Sequence, residues 1–113
     1  MQTLKNSKQK GAFSEEQAMK YLEEKGFLIV DRNFYTKFGE IDIIASKENI
    51  LHFIEVKSGI NFEPIFNITP TKISRLIKTA QIYILKNSLN LTYSFDAIII
   101  KNHEIEFYEN ITM

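Results

Sequence analysis

The sequence predicts an α/β domain in which helices flank a central mixed sheet of five strands, in the order α-β-β-β-α-β-β. Two segments place apolar residues at helical spacing, and three strand-like segments lie between them. Two further strand-like segments follow the second helical segment. A length of 113 residues suits one domain. We therefore expect a flexible segment over residues 1–10 and a single domain over residues 11–113.

The first helix is predicted over residues 14–25, where apolar side chains follow helical spacing and Gly26 provides a natural stop. Ser14 and Gln17 have the spacing of a capping box, which would place the helix start at Ser14. A start one turn earlier, near Lys10, fits the sequence equally well.

Three strands are predicted next, and each combines an apolar run with polar or turn-forming residues at its end. The short polar stretch 47–49 joins the second and third of them as a hairpin would. The three predicted strands span Phe27 to Tyr35, Gly39 to Ser46 (GEIDIIAS) and Ile50 to Ser58 (ILHFIEVKS).

The second half of the chain contains one predicted helix and two predicted strands. Thr69-Pro70 has the cap residue and the first-position proline that are typical of a helix start. An apolar stripe at helical spacing then continues to about residue 86. Strands are predicted over Thr92 to Lys101 and Glu104 to Tyr108, with a turn at Asn102-His103.

The composition excludes several classes of protein. Without cysteine there is neither a disulfide framework nor a thiolate site. His52 and His103 lack the spacing of zinc ligands, which argues against a structural zinc site. Residues 1–11 are polar and basic and lack the apolar run of a signal peptide, and no segment has the roughly 20 apolar residues of a membrane span. We expect a cytoplasmic protein.

The net charge is zero, but the charges are unevenly distributed. Between Pro64 and Phe95 every charged side chain is basic, while acidic residues concentrate in the first helix and near the end of the chain. The protein could therefore carry a basic face that binds phosphate and a separate acidic face, although ordinary solvated surface explains the pattern equally well. The basic residues of that segment are Lys72, Arg75, Lys78 and Lys86.

Charged residues also stand within strands that are otherwise apolar. Alternate side chains of a strand share a face, so Glu55 and Lys57 point the same way, and so do Glu40 and Asp42. An unpaired buried charge is costly, and a divalent cation would compensate it. Mg²⁺ prefers oxygen ligands and is usually held by one or two carboxylates, which Asp42 and Glu55 could supply from adjacent strands.

Lys57 beside such a site could position or deprotonate an attacking water, or stabilise charge that develops on a phosphate. A plain ion pair of Lys57 with Glu55, or with Asp42, at the sheet edge would explain the same residues without any chemistry.

The same residues match a known motif. Asp42…Glu55-Val56-Lys57 resembles the PD-(D/E)xK motif of the restriction-endonuclease-like superfamily, with Ile41 in place of the usual proline. The tail EVKS, from Glu55 to Ser58, is similar to that of archaeal Holliday-junction resolvases.

A second resemblance covers nearly the whole chain. The blocks SEEQAMKYLEEKGFLIVDRNF, FGEIDIIA, LHFIEVKS, ITPTKISRLIKTAQIYI and YSFDAIII resemble, in this order, the YraN family of small bacterial proteins. That family is grouped with resolvase-like nucleases, so the resemblance implies a restriction-endonuclease-like core. By position it implies Asp42 and Glu55 as metal ligands, Lys57 as the catalytic lysine and Glu15 as a further acid that helps to hold the metal.

The position of Glu15 in the sequence, taken without the family resemblance, allows two interpretations. It shares a helical face with Ala18 and Leu22, which would turn it toward the sheet. It could equally be a first-turn acid that the helix dipole favours. The family usually has a glycine where this chain has Ser14, a departure that bears on the placement of Glu15.

Several further residues are candidates for supporting roles. Glu40 could orient the metal ligands without binding the metal itself, or it could pair with Lys37 or Arg32. Asn33, in an Arg-Asn pair that matches the family, could brace the hairpin or contact substrate. A lysine at a helix N-terminus suits a phosphate, although a solvated lysine is the commoner outcome. The candidate nucleic-acid contacts are Lys72, Arg75, Lys78 and Asn33.

Two polar residues are expected to be structural. Asp96 also matches the family and is interpreted as a polar anchor at a strand start. His52 faces away from Glu55 and is interpreted as a packed or edge histidine rather than a general base.

These observations predict a DNA phosphodiesterase of the endonuclease type that depends on Mg²⁺ or Mn²⁺ and acts on branched or structured DNA. One alternative is a module that keeps the fold and binds nucleic acid without turnover. Another is an adaptor that binds a protein through the sheet edge or the acidic C-terminal strand. A homodimer is expected if the resolvase analogy holds, because one domain this small could not cover both strands of a branched substrate.

Overall fold

A computed structural model describes the backbone of residues 7–59 and 69–112, and the side chains from residue 13 onward. Its elements follow the predicted order and form one mixed sheet with two helices, which confirms the predicted fold class. The elements are α1 (Ser7–Glu24), β1 (Leu28–Thr36), β2 (Gly39–Lys47), β3 (Ile50–Gly59), α2 (Pro70–Lys86), β4 (Thr92–Lys101) and β5 (Glu104–Tyr108).

The five strands lie in the sheet in their chain order. β3 and β4 are parallel, whereas every other neighbouring pair is antiparallel. A parallel pair needs a crossover connection, and α2 lies in it. Two-residue turns close the β2–β3 and β4–β5 hairpins where turns were predicted. Both central residues of each turn have positive φ, as type I′ turns require: Glu48-Asn49 and Asn102-His103.

Each face of the sheet is covered by one helix, so the core has two halves. Under α1 lie Leu22, Ile54 and Ile98, and under α2 lie Phe53 and Leu76. Successive residues of β3 therefore belong to opposite halves, as strand periodicity requires. In the described part of the chain, no helix is long and apolar enough to cross a membrane.

The start of α1 differs from the prediction. The helix begins at Ser7, about two turns earlier than Ser14, so Ser14 is not a cap and the capping box with Gln17 is wrong. Residues 7–11 lack apolar side chains, which is why helical periodicity does not reveal them. Ser14 is instead buried, and its hydroxyl donates to the Ser58 hydroxyl at 3.0 Å. Of the segment predicted to be flexible, residues 1–6 lie outside the described residues, and residues 7–10 are helical.

The end of α1 and the start of α2 lie where they were predicted. Gly26 follows α1 with φ of +91°, a conformation that favours glycine. The N–H of Phe27 donates to the Leu22 carbonyl at 2.9 Å, which closes the last turn. At the start of α2, the Thr69 hydroxyl accepts a hydrogen bond from the N–H of Lys72 at 3.2 Å, and Pro70 occupies the first helical position.

We expect the substitution Thr69→Ala to lower the free energy of unfolding by about 1 kcal/mol, because it removes the acceptor that caps α2. Urea denaturation measures this loss. Thr71→Ala is the matched control, because Thr71 is an exposed residue in the same turn that does not cap the helix. Equal losses for the two variants would contradict a capping role for Thr69.

A buried hydrogen bond between a histidine and an aspartate joins β3 to β4. Asp96 is fully buried and pairs with Nδ1 of His52, which is itself 5% exposed. Asp96 also accepts hydrogen bonds from the Ser94 hydroxyl at 2.6 Å and from the N–H of Asn110 at 3.0 Å. His52 is therefore packed, as predicted. Asp96 is a polar anchor as predicted, but it lies inside β4 rather than at its start.

Candidate functional site

The sheet opens locally at Asp42. Ladder pairing between β2 and β3 runs from Lys47 opposite Ile50 to Ile43 opposite Ile54, and stops there. Beyond this point the Asp42 carboxylate accepts the N–H of Val56, with Oδ2 at 2.8 Å from the nitrogen. The side chain thus occupies the gap between the two strands and satisfies a donor that the ladder leaves unpaired.

On the other side of β2, the β1 backbone also deviates from regular strand geometry. Asn33 lies between the residues of β1 that pair with Ile43 and Ile41, and it has φ of 53°. A left-handed conformation is unusual for a residue other than glycine, although asparagine adopts it more readily than most. Asp42 therefore lies between the irregular backbone of β1 and the end of the β2–β3 ladder.

Three carboxylates meet at this opening. Candidate ligand atoms of Glu15, Glu40 and Asp42 all lie within 4.8 Å of one another, and each side chain is half-buried. We call this set the carboxylate cluster. Glu15 comes from the sheet-facing side of α1, which also carries the fully buried Ala18 and Leu22. Since α1 begins at Ser7, Glu15 is not in its first turn, and the helix-dipole interpretation is wrong.

Two residues of β1 lie close to Glu15. The side chain of Asn33 is near enough to the carboxylate to favour its ionised form and so to lower its pKa, and the Arg32 guanidinium lies 3.8 Å from its Oε1. The left-handed backbone of Asn33 therefore accompanies a contact inside the site. Asn33 lies beside the carboxylate cluster, whereas the other three candidate nucleic-acid contacts are on α2.

Burial and mutual repulsion make the carboxylates of the cluster harder to ionise. Burial, together with the neighbouring carboxylates of Glu55, Glu15 and Glu40, raises the pKa of Asp42 from 3.8 to about 7, although the N–H of Val56 opposes the shift. Burial and the charge of Glu40 also raise the pKa of Glu15. The negative charge gathered here is thus poorly compensated by the protein itself.

Glu55 and Lys57 lie next to the cluster but form a pair of their own. Lys57 Nζ lies 3.3 Å from Glu55 Oε1, which is one of the two ion pairs considered from the sequence. Burial opposes the charge on Lys57, but the Glu55 carboxylate outweighs it and raises the pKa of the ammonium group. Glu55 and Asp42 line the same small cavity of about 180 Å³. The pair lies on β3, the central strand of the sheet, rather than at an edge.

The N-terminal part of α2 brings its cations to this cavity. Lys72 and Arg75 line it together with Asp42 and Glu55. The close approach of the Lys57 ammonium group lowers the pKa of Lys72. Lys78, one turn beyond Arg75, lies farther along an adjoining groove. The structure therefore places the three predicted cations of α2 in a row that starts at the opening of the sheet.

Glu40 has a more central position than the sequence predicted for it. Glu40 is within the carboxylate cluster, whereas Glu55 is turned to Lys57. The predicted ion pairs of Glu40 with Lys37 and Arg32 are not among the ion pairs of the described residues. Its carboxylate instead lies close enough to Tyr35 to raise the pKa of that hydroxyl group. The two-residue spacing in GEID placed Glu40 beside Asp42 and was the available signal.

The donor set fits a hard divalent cation. All three members of the cluster offer carboxylate oxygens, which Mg²⁺ and Mn²⁺ prefer. They approach within 4.8 Å of one another although their charges repel, and a cation between them would remove that repulsion. Glu55 is outside this set, because its Oε1 is paired with Lys57.

Comparison with known proteins agrees with the resemblance found in the sequence. The model of the uncharacterised protein family UPF0102 matches residues 14–100. A UPF0102 protein of Wolinella succinogenes is 54% identical over 95% of this chain and 99% of its own length. One from Helicobacter hepaticus is 53% identical over 96% and 98%, and one from Sulfurimonas denitrificans is 50% identical over 95% and 99%. The chain therefore belongs to family UPF0102, the YraN family that its sequence blocks predicted.

Proposed function

We propose that this protein is a metal-dependent phosphodiesterase that cuts DNA as an endonuclease, with branched or structured DNA as its substrate. The observation that carries the proposal is the carboxylate cluster at the opening between β2 and β3, with a lysine and the cations of α2 next to it. Phosphodiester hydrolysis needs carboxylates that bind a metal ion and, beside them, basic side chains that bind the phosphate.

Glu15, Glu40 and Asp42 would hold the cation, Mg²⁺ or Mn²⁺. Such a cation supplies stabilisation of the negative charge that develops on a phosphate during hydrolysis. Asp42 is the central member, because its carboxylate is fixed by the N–H of Val56. Asn33 and Arg32 orient Glu15.

Lys57 supplies a positive charge in this arrangement. Its raised pKa keeps it an ammonium group at neutral pH, and Glu55 holds that group in place at 3.3 Å. A protonated lysine cannot accept a proton from water, so Lys57 would orient the attacking water or bind a phosphate oxygen. Of the roles that the sequence left open for Lys57, deprotonation of the attacking water is therefore not part of this proposal.

The first turns of α2 would hold the phosphates on either side of the reacting one. Lys72 and Arg75 are exposed at the rim of the cavity that Asp42 lines. Cations that neutralise phosphates make binding depend on salt but carry no sequence information. Substrate choice would thus depend on DNA shape, and acting on both strands of a branch would require two copies of the protein.

A nuclease assay on linear, flap and four-way DNA with Mg²⁺ or Mn²⁺ tests the proposal. We expect cleavage by the wild type, and a loss of at least about 100-fold in Asp42→Ala and in Lys57→Ala. Lys20→Ala is the control, because Lys20 is an exposed cation of α1 away from the site. Cleavage that survives both substitutions would come from a contaminant and would overturn the proposal.

One observation favours a second candidate, a nucleic-acid-binding module without turnover. Glu55 is paired with Lys57 rather than grouped with the carboxylates, and the cations of α2 could bind DNA without a metal. Salt-sensitive binding to DNA without cleavage under any metal condition would support this candidate over the first.

A further inference from the structure

A groove runs between the tip of the β1–β2 hairpin and α2, next to the carboxylate cluster. Its volume is about 620 Å³, which lies in the range of sites that bind small molecules. Aromatic and basic side chains dominate its lining. The lining includes Tyr35, Lys37, Phe38, Glu40, Arg75 and Lys78.

The walls of the groove are fixed to each other. The hydroxyl groups of Thr36, on the hairpin, and Thr79, on α2, lie 3.1 Å apart. The Thr79 hydroxyl also donates to the Arg75 carbonyl at 2.8 Å, and the Thr36 hydroxyl donates to the Gly39 carbonyl at 3.5 Å. The N–H of Phe38 donates to the Thr36 hydroxyl oxygen at 3.1 Å. A ligand would therefore meet a groove that is already formed.

The groove carries three cations that the described part of the protein does not neutralise. Nζ of Lys37 and Nζ of Lys78 lie 5.3 and 5.4 Å from the centre of the Phe38 ring. Neither these ammonium groups nor the Arg75 guanidinium forms an ion pair within residues 13–59 and 69–112. The Phe38 ring thus brings basic side chains from both walls close together. Positive charge concentrated in this way suits an anionic ligand.

An aromatic ring is exposed beside these cations. Tyr35 is 69% exposed although it lies within a strand, and the nearby Glu40 carboxylate raises the pKa of its hydroxyl group. The ring therefore lies beside Glu40, at the end of the groove nearest the carboxylate cluster. Exposed aromatic rings interleaved with cations are the arrangement by which proteins bind single-stranded nucleic acid, since bases stack on the rings and cations follow the phosphates.

We infer that this groove binds a single-stranded segment of nucleic acid, with its phosphates against Lys37, Arg75 and Lys78 and a base stacked on Tyr35. Bases in a duplex are stacked on each other and cannot offer their faces to a ring, so the aromatic part of the groove selects for unpaired nucleotides. Because Glu40 belongs both to the groove and to the carboxylate cluster, the bound segment would lead to the proposed cleavage site. In that respect the inference rests on the proposed function, but binding itself requires no metal.

Fluorescence anisotropy with a labelled oligonucleotide in EDTA tests the inference. We compare one sequence as a single strand and as a blunt duplex, at several salt concentrations. The wild type is expected to bind the single strand more tightly. Tyr35→Ala should weaken that binding about tenfold or more, whereas Tyr35→Phe, which keeps the ring, should retain it. Lys78→Ala should lower the salt slope by about 0.7.

Both positions are exposed, so the variants are expected to fold, and Lys20→Ala on the other side of the sheet serves as the control. Single-strand binding that Tyr35→Ala and Lys78→Ala leave unchanged would overturn the inference. So would tighter binding of the duplex, or no binding of either. Because the assay contains no metal, binding without any cleavage in Mg²⁺ would leave the groove intact and count against the proposed nuclease alone.

Discussion

Asp42→Asn is expected to stabilise the metal-free protein above neutral pH. The folded state raises the pKa of Asp42 from 3.8 to about 7, mainly through burial and then through its carboxylate neighbours. Between these values the folded protein binds a proton that the unfolded chain does not, so the stability of the wild type falls as the pH rises from about 4 to about 7. Asparagine keeps an oxygen for the N–H of Val56 and does not ionise. At pH 8 the gain should be on the order of 2–4 kcal/mol.

Thermal unfolding in EDTA measures this gain, which corresponds to a rise in Tm on the order of 10 °C. Addition of Mn²⁺ should close most of the difference between the two proteins. The wild type should gain about 2.7 kcal/mol when the metal reaches 100 times its Kd, whereas Asp42→Asn should not respond. Asp31→Asn, at an exposed aspartate of β1, is the control. A lower Tm of Asp42→Asn in EDTA, or a full response of that variant to Mn²⁺, would contradict this account.

Asp96→Ala is expected to produce the largest loss of stability, about 3–5 kcal/mol. The substitution leaves His52 buried without its partner and removes the acceptor of the Ser94 hydroxyl and the Asn110 N–H. Unsatisfied buried groups cost more than the hydrogen bonds contribute when they are formed. For a domain whose whole stability is about 5–15 kcal/mol, such a loss brings the protein close to unfolding.

Denaturant unfolding of Asp96→Ala measures the loss, and Ser94→Ala, which removes only one donor to Asp96, should cost about 1 kcal/mol. The double variant with His52→Ala should lose less than the sum of the two single losses, because the partners are in contact. A loss below about 1 kcal/mol for Asp96→Ala would show that the buried pair is not a main support of the β3–β4 junction.

The fold was largely predictable because its local signals agree with its packing. The Thr69-Pro70 cap, Gly26 and the turn at residues 102–103 are chemical requirements of the backbone, and each lies where it was predicted. The start of α1 was not predictable, because residues 7–11 have no apolar face from which to read a helical period. The helical conformation of these residues depends on tertiary packing, which a single sequence does not display.

The site was predictable in its members but not in their arrangement. Strand periodicity placed Glu40 with Asp42, and helical periodicity turned Glu15 inward, yet the choice between Glu40 and Glu55 depends on side-chain rotamers at the sheet opening. The groove at Tyr35 and Phe38 could not be predicted. It requires the β1–β2 hairpin to lie against α2, which brings together residues 43 positions apart, such as Thr36 and Thr79.

An anomalous difference map from a crystal soaked in Mn²⁺ tests most directly whether the carboxylate cluster binds a metal. We expect one strong peak within coordination distance of the Asp42 carboxylate, in contact with Glu15 from α1, at the opening between β2 and β3. The same map would report whether Glu55 binds the metal as well. A map without a peak at Asp42, from a crystal whose Mn²⁺ binds other carboxylates or none, would show that the cluster is not a metal site.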